Sequence, residues 1–416
     1  MVTRDPLGTE PRFFGTPGEV APDVFMHPVF VNSYALRTEA GLMLVDPGFG
    51  QTSDGLRTAV RAWSDAPLRL AVYTHGHADH AFGLRAFLAA GERPEIVAQE
   101  NCAARFRRYG ALHGFNALLN QRQFGLPQPT FPKRFDWPTR YVRESSVEHL
   151  GDVDVHLHAG RGETDDALWV WVPARRYLFT GDFVIWQAPN CGNPQKMQRY
   201  PEDWAEALEA MAALGPEWLF PGHGLVVQGE AAVRQVLTDA ARYLRVLVEG
   251  VRERLNAGER PEDIVHAVRP DAELATRPYL RATYDHPSFI VRNLLRLWAG
   301  WWNGDASTLL PSTPTALGAE VASLAGGVGP LVARGQALLA TGDATLAAHL
   351  AEFAVRAAPD DRGAQGLKRD VYRRRLADSD CLMARGIFRA ALNDAERALG
   401  EPVTAATDVG MALSRR

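Results

Sequence analysis

Thr74-His75-Gly76-His77-Ala78-Asp79-His80 places three imidazoles and a carboxylate within a single turn's length of chain. Imidazole and carboxylate together suit zinc and similar first-row metals. On a tight loop His75 and His77 can point one way while Asp79 and His80 point another. Such a stretch serves two ions a few ångströms apart, the arrangement that holds a hydroxide for hydrolysis. A solvated His-rich turn is the bland alternative, and four ligand-type residues at this spacing argue against it.

Chemistry of this kind needs a rigid support. The run Leu68–Tyr73 before the loop reads as a buried strand, and residues 81–87 beyond it have helical spacing, so the four side chains lie on a loop at a strand's end. The same design recurs. Tyr177-Leu178-Phe179-Thr180-Gly181 ends in Asp182, and Trp218-Leu219-Phe220-Pro221-Gly222 ends in His223. Val153–His158 alternates as a strand should and leads through Gly160-Arg161-Gly162 to Glu163, before a further strand over 167–172. Residues 30–36 and 42–46 form a hairpin stopped by Pro47-Gly48. Strand ends converging on one edge explain these acids and imidazoles together. A helix is expected over 53–64, a strand over 94–98, a helical stretch over 99–125, and a long ordered loop over 126–138, where four prolines exclude regular structure.

The loop 75–80 meets the pattern His-x-His-x-Asp-His without a gap, and in this it resembles the metallo-β-lactamase superfamily. The resemblance implies an α/β fold, an αββα sandwich of two sheets, with a dinuclear metal site along its edge. It implies that His75, His77 and Glu163 hold one ion, that Asp79, His80 and His223 hold the other, and that Asp182 bridges them. Asp79 and Asp182 are then the catalytic carboxylates, and two zinc ions per chain are the expected cofactors, with manganese or iron as alternatives. Asp46-Pro47-Gly48 resembles the superfamily's Asp-x-Gly, which supports the metal loop from behind.

Most of the superfamily has a histidine where this chain has Glu163; alkyl sulfatases of the same superfamily have a glutamate there. The competing ligand is His158, inside the preceding strand. Alkyl sulfatases in turn have a glutamate where this chain has Asp182, and a Thr/His-rich loop after it. Here that loop, 183–190, has neither histidine nor arginine. Further along lie Asn190, Lys196 and Arg199, on a polar loop where charge-assisted hydrogen bonds would hold an anionic substrate group. The alternative for both cations is pairing with Glu202 and Asp203.

Beyond 230 the pattern turns helical: an amphipathic helix over 231–256, a shorter one over 261–268, and an aromatic-rich helix from about 284 to the cluster Trp298-Ala299-Gly300-Trp301-Trp302. That cluster points to tight packing, within the chain or across a subunit interface. Residues 318–400 are alanine-rich and read as three or four antiparallel helices. Gly300–Ala306, Gly342-Asp343 and Ala358-Pro359-Asp360 resemble the helical dimerisation domain of the alkyl sulfatase branch. The expected layout is a lead-in over 1–23, a catalytic domain over 24–230, a helical connection over 231–311 and an all-α dimerisation domain over 312–416.

Composition is that of an ordinary soluble globular protein, 46% apolar and 23% charged. A net charge of −4 carries no basic excess, so neither nucleic acid nor an anionic membrane is an expected partner. Three widely spaced cysteines imply no disulfide framework, the N-terminus has no signal-type apolar segment, and a cytoplasmic homodimer acting on a small-molecule ester is expected. The expected activity is hydrolysis of an alkyl sulfate or other anionic ester by a metal-activated water; thioesters, lactones and phosphodiesters are alternatives. A redox di-iron protein would want a glutamate in place of His77. A non-catalytic helical assembly module would leave seven convergent ligand residues unexplained.

Overall fold

In the computed structural model, which describes residues 1–405, alternation along the strands builds two apolar layers at once. Val24, Met26, Tyr34, Leu36, Met43 and Val45 face one side of a sheet and join Val155, Leu157, Val170 and Phe179 of a second sheet in one core. Their neighbours in sequence, Phe25, Ala35, Leu42 and Leu44, face the other way and pack on Leu56, Val60, Phe87 and Phe106 of the covering helices. Residues 406–416, the end of the expected dimerisation domain, lie outside the described residues.

Each sheet has seven strands. One runs in the order Gly18–Ala21, Val24–Val29, Val31–Thr38, Gly41–Val45, Leu68–Val72, Glu95–Gln99, Arg140–Val142. The other runs Val2–Thr3, Val226–Gln228, Trp218–Pro221, Tyr177–Gly181, Ala167–Val172, Val153–Gly160, Ser145–Leu150. Helices Pro201–Ala213 and Glu230–Asn256 cover the outer face of this second sheet, completing the αββα sandwich. Gly41–Val45 and Leu68–Val72 pair in parallel, as do Tyr177–Gly181 and Trp218–Pro221, so the loops that follow them emerge on the same edge.

The described residues form two compact units: Met1–Asn116 with Phe131–Gly300, and Ala117–Thr130 with residues 301–405. The helices Glu230–Asn256, Pro261–Ala267 and Pro287–Ala299 therefore belong to the two-sheet unit. The second unit contains five helices between 314 and 399, against the three or four expected. Asp343 and Asp361 start two of them by accepting from the backbone N–H groups of Leu346 and Ala364. Small residues let these helices close in: Ala347, Ala348 and Ala351 pack on Leu367 and Val371.

Several elements differ from the sequence expectation. The lead-in is not loose, since Val2–Thr3 pairs in parallel with Val226–Val227 and Gly18–Ala21 joins the first sheet. Two-residue and Gly-containing strands carry no readable period; their partners, distant in sequence, define them. The edge strand Ser145–Leu150 was hidden by its polar composition. The helical stretch after 99 is two helices, Asn101–Ala111 and His113–Phe124. The loop 126–138 is irregular as expected, with Phe135 packed on Phe106. Trp301 and Trp302 are not packed away: they are 74% and 44% exposed.

Candidate metal centre

Seven side chains from four strand ends gather into two donor groups, His75, His77, Glu163 and Asp182 in one, and Asp79, His80 and His223 in the other. In the first, His75 Nε2 lies 2.8 Å from His77 Nδ1 and 3.8 Å from Asp182 Oδ2, and His77 Nδ1 lies 3.8 Å from Glu163 Oε1. In the second, His80 Nε2 and His223 Nε2 each lie 3.6 Å from Asp79 Oδ2. They also lie 3.2 and 3.3 Å from Asp182 Oδ1. Asp182 thus turns one oxygen to each group. Donors on a four-coordinate zinc sit roughly 3.3 Å apart, given bonds of about 2 Å, so these separations fit cations.

Unpartnered polar atoms make the same point. Glu163 Oε2, His80 Nε2 and Asp182 Oδ1 are buried and make no hydrogen bond among the described residues. Buried polar atoms are nearly always satisfied, and a cation between the groups would satisfy these.

The surroundings fix which ring nitrogen faces the site. Asp46, held at a positive φ of 52°, accepts from Thr74 N and Thr74 Oγ1, both at 2.7 Å, and pairs with His80 Nδ1 at 2.8 Å. This matches its expected supporting role. His223 Nδ1 donates to Phe30 O at 2.9 Å, leaving Nε2 for the site. Gly76 N donates to Asp166 Oδ2 at 3.0 Å, and Asp166 is paired in turn with Arg105 Nε at 2.9 Å. Gly222 must lack a Cβ, because one there would collide with Asp182 Oδ1.

Charge follows from burial and neighbours. Burial holds His75 and His77 well below the ordinary histidine value, so both are neutral, the form that binds metal. Burial acts in the same sense on His80 and His223, but the neighbouring carboxylates together reverse it and raise both: Asp182, Asp46 and Asp79 for His80, and Asp182 and Asp79 for His223. Burial works to raise Asp182, and His80 and His223 reverse this to leave it well below the carboxylate range. Glu163 is pushed up to about 8 by burial, with Arg199 opposing.

The three residues expected to bind substrate divide. Arg199 is buried and its Nη1 lies 2.5 Å from Glu163 Oε1; Asn190 Nδ2 donates to the same oxygen at 2.5 Å. Both therefore face Glu163: a buried guanidinium requires a counter-charge, and Glu163 supplies it. Glu202 and Asp203 pair instead with Arg252 and Arg161. Lys196 is half-buried, and burial pushes its ammonium down to about 8, with Arg199 acting the same way and Glu163 and Asp79 opposing. His158 stays in its strand, stacked on Trp169 at 4.1 Å, and joins neither donor group.

Tyr284 was missed as a site residue. Burial raises its phenol well above 10, and the charges of Glu163, Asp79 and Asp182 act in the same direction. A tyrosine among loop residues carries no distinguishing sequence signal. Asn293, a lone amide inside an apolar helical stretch, did carry one.

Residues 27–223 match the family model for the metallo-β-lactamase superfamily, and residues 260–397 the model described as alkyl sulfatase dimerisation. The fold and the donor groups thus define a metallo-β-lactamase domain with a metal-binding cluster at its edge. The chain joins this domain to an alkyl sulfatase dimerisation domain. It is 28% identical over 372 residues to a linear primary-alkylsulfatase of Pseudomonas sp., covering 80% of this chain and 68% of that protein. It is 22% identical to the alkyl/aryl-sulfatase BDS1 of Saccharomyces cerevisiae, covering 82% of this chain and 57% of that one. The structure of the stereoselective inverting sec-alkylsulfatase Pisa1 from Pseudomonas sp. shares the fold, with a TM-score of 0.81 at 20% identity over 95% of this chain and 67% of that one.

Proposed function

We propose that the protein is a dinuclear zinc-dependent hydrolase of sulfate esters, with an alkyl sulfate as its substrate class. One observation carries the reading: two donor groups with cation-like spacing share Asp182 through its two oxygens. The similarity to alkylsulfatases over most of this chain supports the choice of ester.

His75, His77 and Glu163 would hold one ion, Asp79, His80 and His223 the other, with Asp182 between them. Bound there, the metals would lower the pKa of water toward neutrality and draw charge from the ester oxygens. The chain's own residues do the rest. Asp46 and the Phe30 carbonyl fix the imidazoles His80 and His223, and Asp182 accepts charge from both sides. Lys196 stands as the cation for the sulfate's non-bridging oxygens, since Arg199 is engaged by Glu163.

The protein is further proposed to act as a homodimer through its helical unit, where Leu310, Leu324 and Trp301 are 93%, 81% and 74% exposed. The expected result is two ions per chain by elemental analysis and turnover of an alkyl sulfate above matched phosphate, carboxylate and thioesters. Active protein without transition metal would defeat the mechanism; preference for another ester would move the substrate and leave the metal centre.

A further inference from the structure

Glu163 is 6% exposed and Arg199 2%. Two opposite charges removed from water are tolerated when they pair, and breaking one side leaves the other uncompensated. Here the guanidinium meets Glu163 Oε1 at 2.5 Å, beside the amide of Asn190 on the same oxygen. Asn190 and Arg199 lie on one loop, and that loop is gripped from outside the sheets. Arg199 N donates to Asn293 Oδ1 at 3.3 Å, and Arg199 O accepts from Asn293 Nδ2 at 2.9 Å. Gln198 Nε2 donates to Asn293 O and Oδ1, both at 3.1 Å. Earlier in the loop, Gly192 N donates to Asp285 Oδ2 at 2.6 Å. Asn293 is buried on the helix Pro287–Ala299, and Asp285 is buried just before it.

We infer that Arg199 is a positioning residue for the carboxylate of Glu163 and not a substrate contact, and that Asn293 holds Arg199 in place. The inference rests on the proposed role of Glu163 as a ligand of the first ion. Its physical basis is that Glu163 receives its placement from a loop and a helix rather than from its own strand. A glutamate has three side-chain torsions to fix, and ordering them before the ion arrives raises affinity. Arg199 also offsets one of the three carboxylate charges in the cluster.

The test is metal affinity of the purified full chain, read by competition with a chromophoric chelator using zinc alone. Arg199→Met should weaken the more labile ion roughly 10- to 100-fold, as loss of an outer partner does. Arg199→Lys should recover part of the loss, and Asn293→Ala should act in the same direction more mildly. Melting of the metal-free variants checks that each is folded; Asn293→Asp, which keeps the acceptor and loses the donor, serves if Asn293→Ala is not. In the zinc-saturated variants, KM for an anionic ester and for a neutral ester should move together. Arg199→Met that binds both ions as tightly as the wild type, or more tightly, while raising KM for the anionic ester alone, would overturn the inference and make Arg199 a substrate contact. Wild-type protein that binds no zinc would overturn the dinuclear reading and this inference with it.

Discussion

The two donor groups have the same kinds of ligand and rest on different supports. In the second group His80 is tied to Asp46 and His223 to the carbonyl of Phe30, both at or beside strand ends, and both histidines are buried. In the first, His77 is partly exposed, and Glu163 takes its position from Arg199 and Asn190 on a loop held by the helix Pro287–Ala299. Sheet-borne ligands are fixed by many hydrogen bonds that must break together, whereas loop-borne ligands move with fewer. The supports of His80 and His223 thus lead to the expectation that the second group is the more firmly held half of the centre, although Asp79 is as exposed as His77.

The strongest way to break this comparison is to remove the residue both halves share. Asp182→Asn takes charge from each group at once, and kcat/KM on an alkyl sulfate should fall by about a thousandfold or more, equivalent to several kcal/mol. Elemental analysis should show loss of both ions. A variant that keeps two ions and loses little activity would mean that Asp182 does not join the halves.

Stepwise chelation tests the difference itself. The ion of the first group should leave before the ion of the second. His77→Ala should yield protein with close to one ion, and His223→Ala should cost more metal and more activity. Simultaneous release of both ions would erase the distinction.

Lys196 lies electrostatically close to one carboxylate of each group, Glu163 and Asp79. Lys196→Ala should raise KM for an anionic ester roughly tenfold, a loss near 1.4 kcal/mol of uniform binding, and leave a neutral ester nearly unchanged. Equal effects on both esters would remove Lys196 from charge recognition.

The smallest expected effect concerns Asp285, which burial raises to about 7 although the backbone N–H groups of His286 and Gly192 oppose the shift. A carboxylate raised in the folded state contributes stability below its unfolded pKa near 4, and this is lost as pH rises toward 7. Melting of metal-free Asp285→Asn relative to wild type should therefore move in the variant's favour between pH 4 and pH 7. A constant difference across that range would show that Asp285 does not titrate in the folded protein.

Most of the candidate centre was legible because its donor residues are concentrated by type and follow apolar strands, as 75–80, Asp182 and His223 do. Glu163 was legible against His158 for a related reason: His158 belongs to the strand's alternation and packs on Trp169, while Glu163 comes after it. What escaped was whatever depends on long-range pairing. The short strand Val2–Thr3 exists through Val226, and the edge strand Ser145–Leu150 exists through Val153–His158.

The sequence by itself determined the sandwich, the ligand types and the helical second half, because periodicity, turn chemistry and ligand spacing are local properties of the chain. Of the cations at 196 and 199, only the tertiary structure decided that the second meets a carboxylate. Their spacing permits a loop open to substrate, or one closed on the site. The choice depends on which charge lies within reach once the loop is buried, and Glu163, 36 positions before Arg199, supplies it. A buried guanidinium goes to the carboxylate that offsets its desolvation, and no local pattern records where in the folded chain that carboxylate lies.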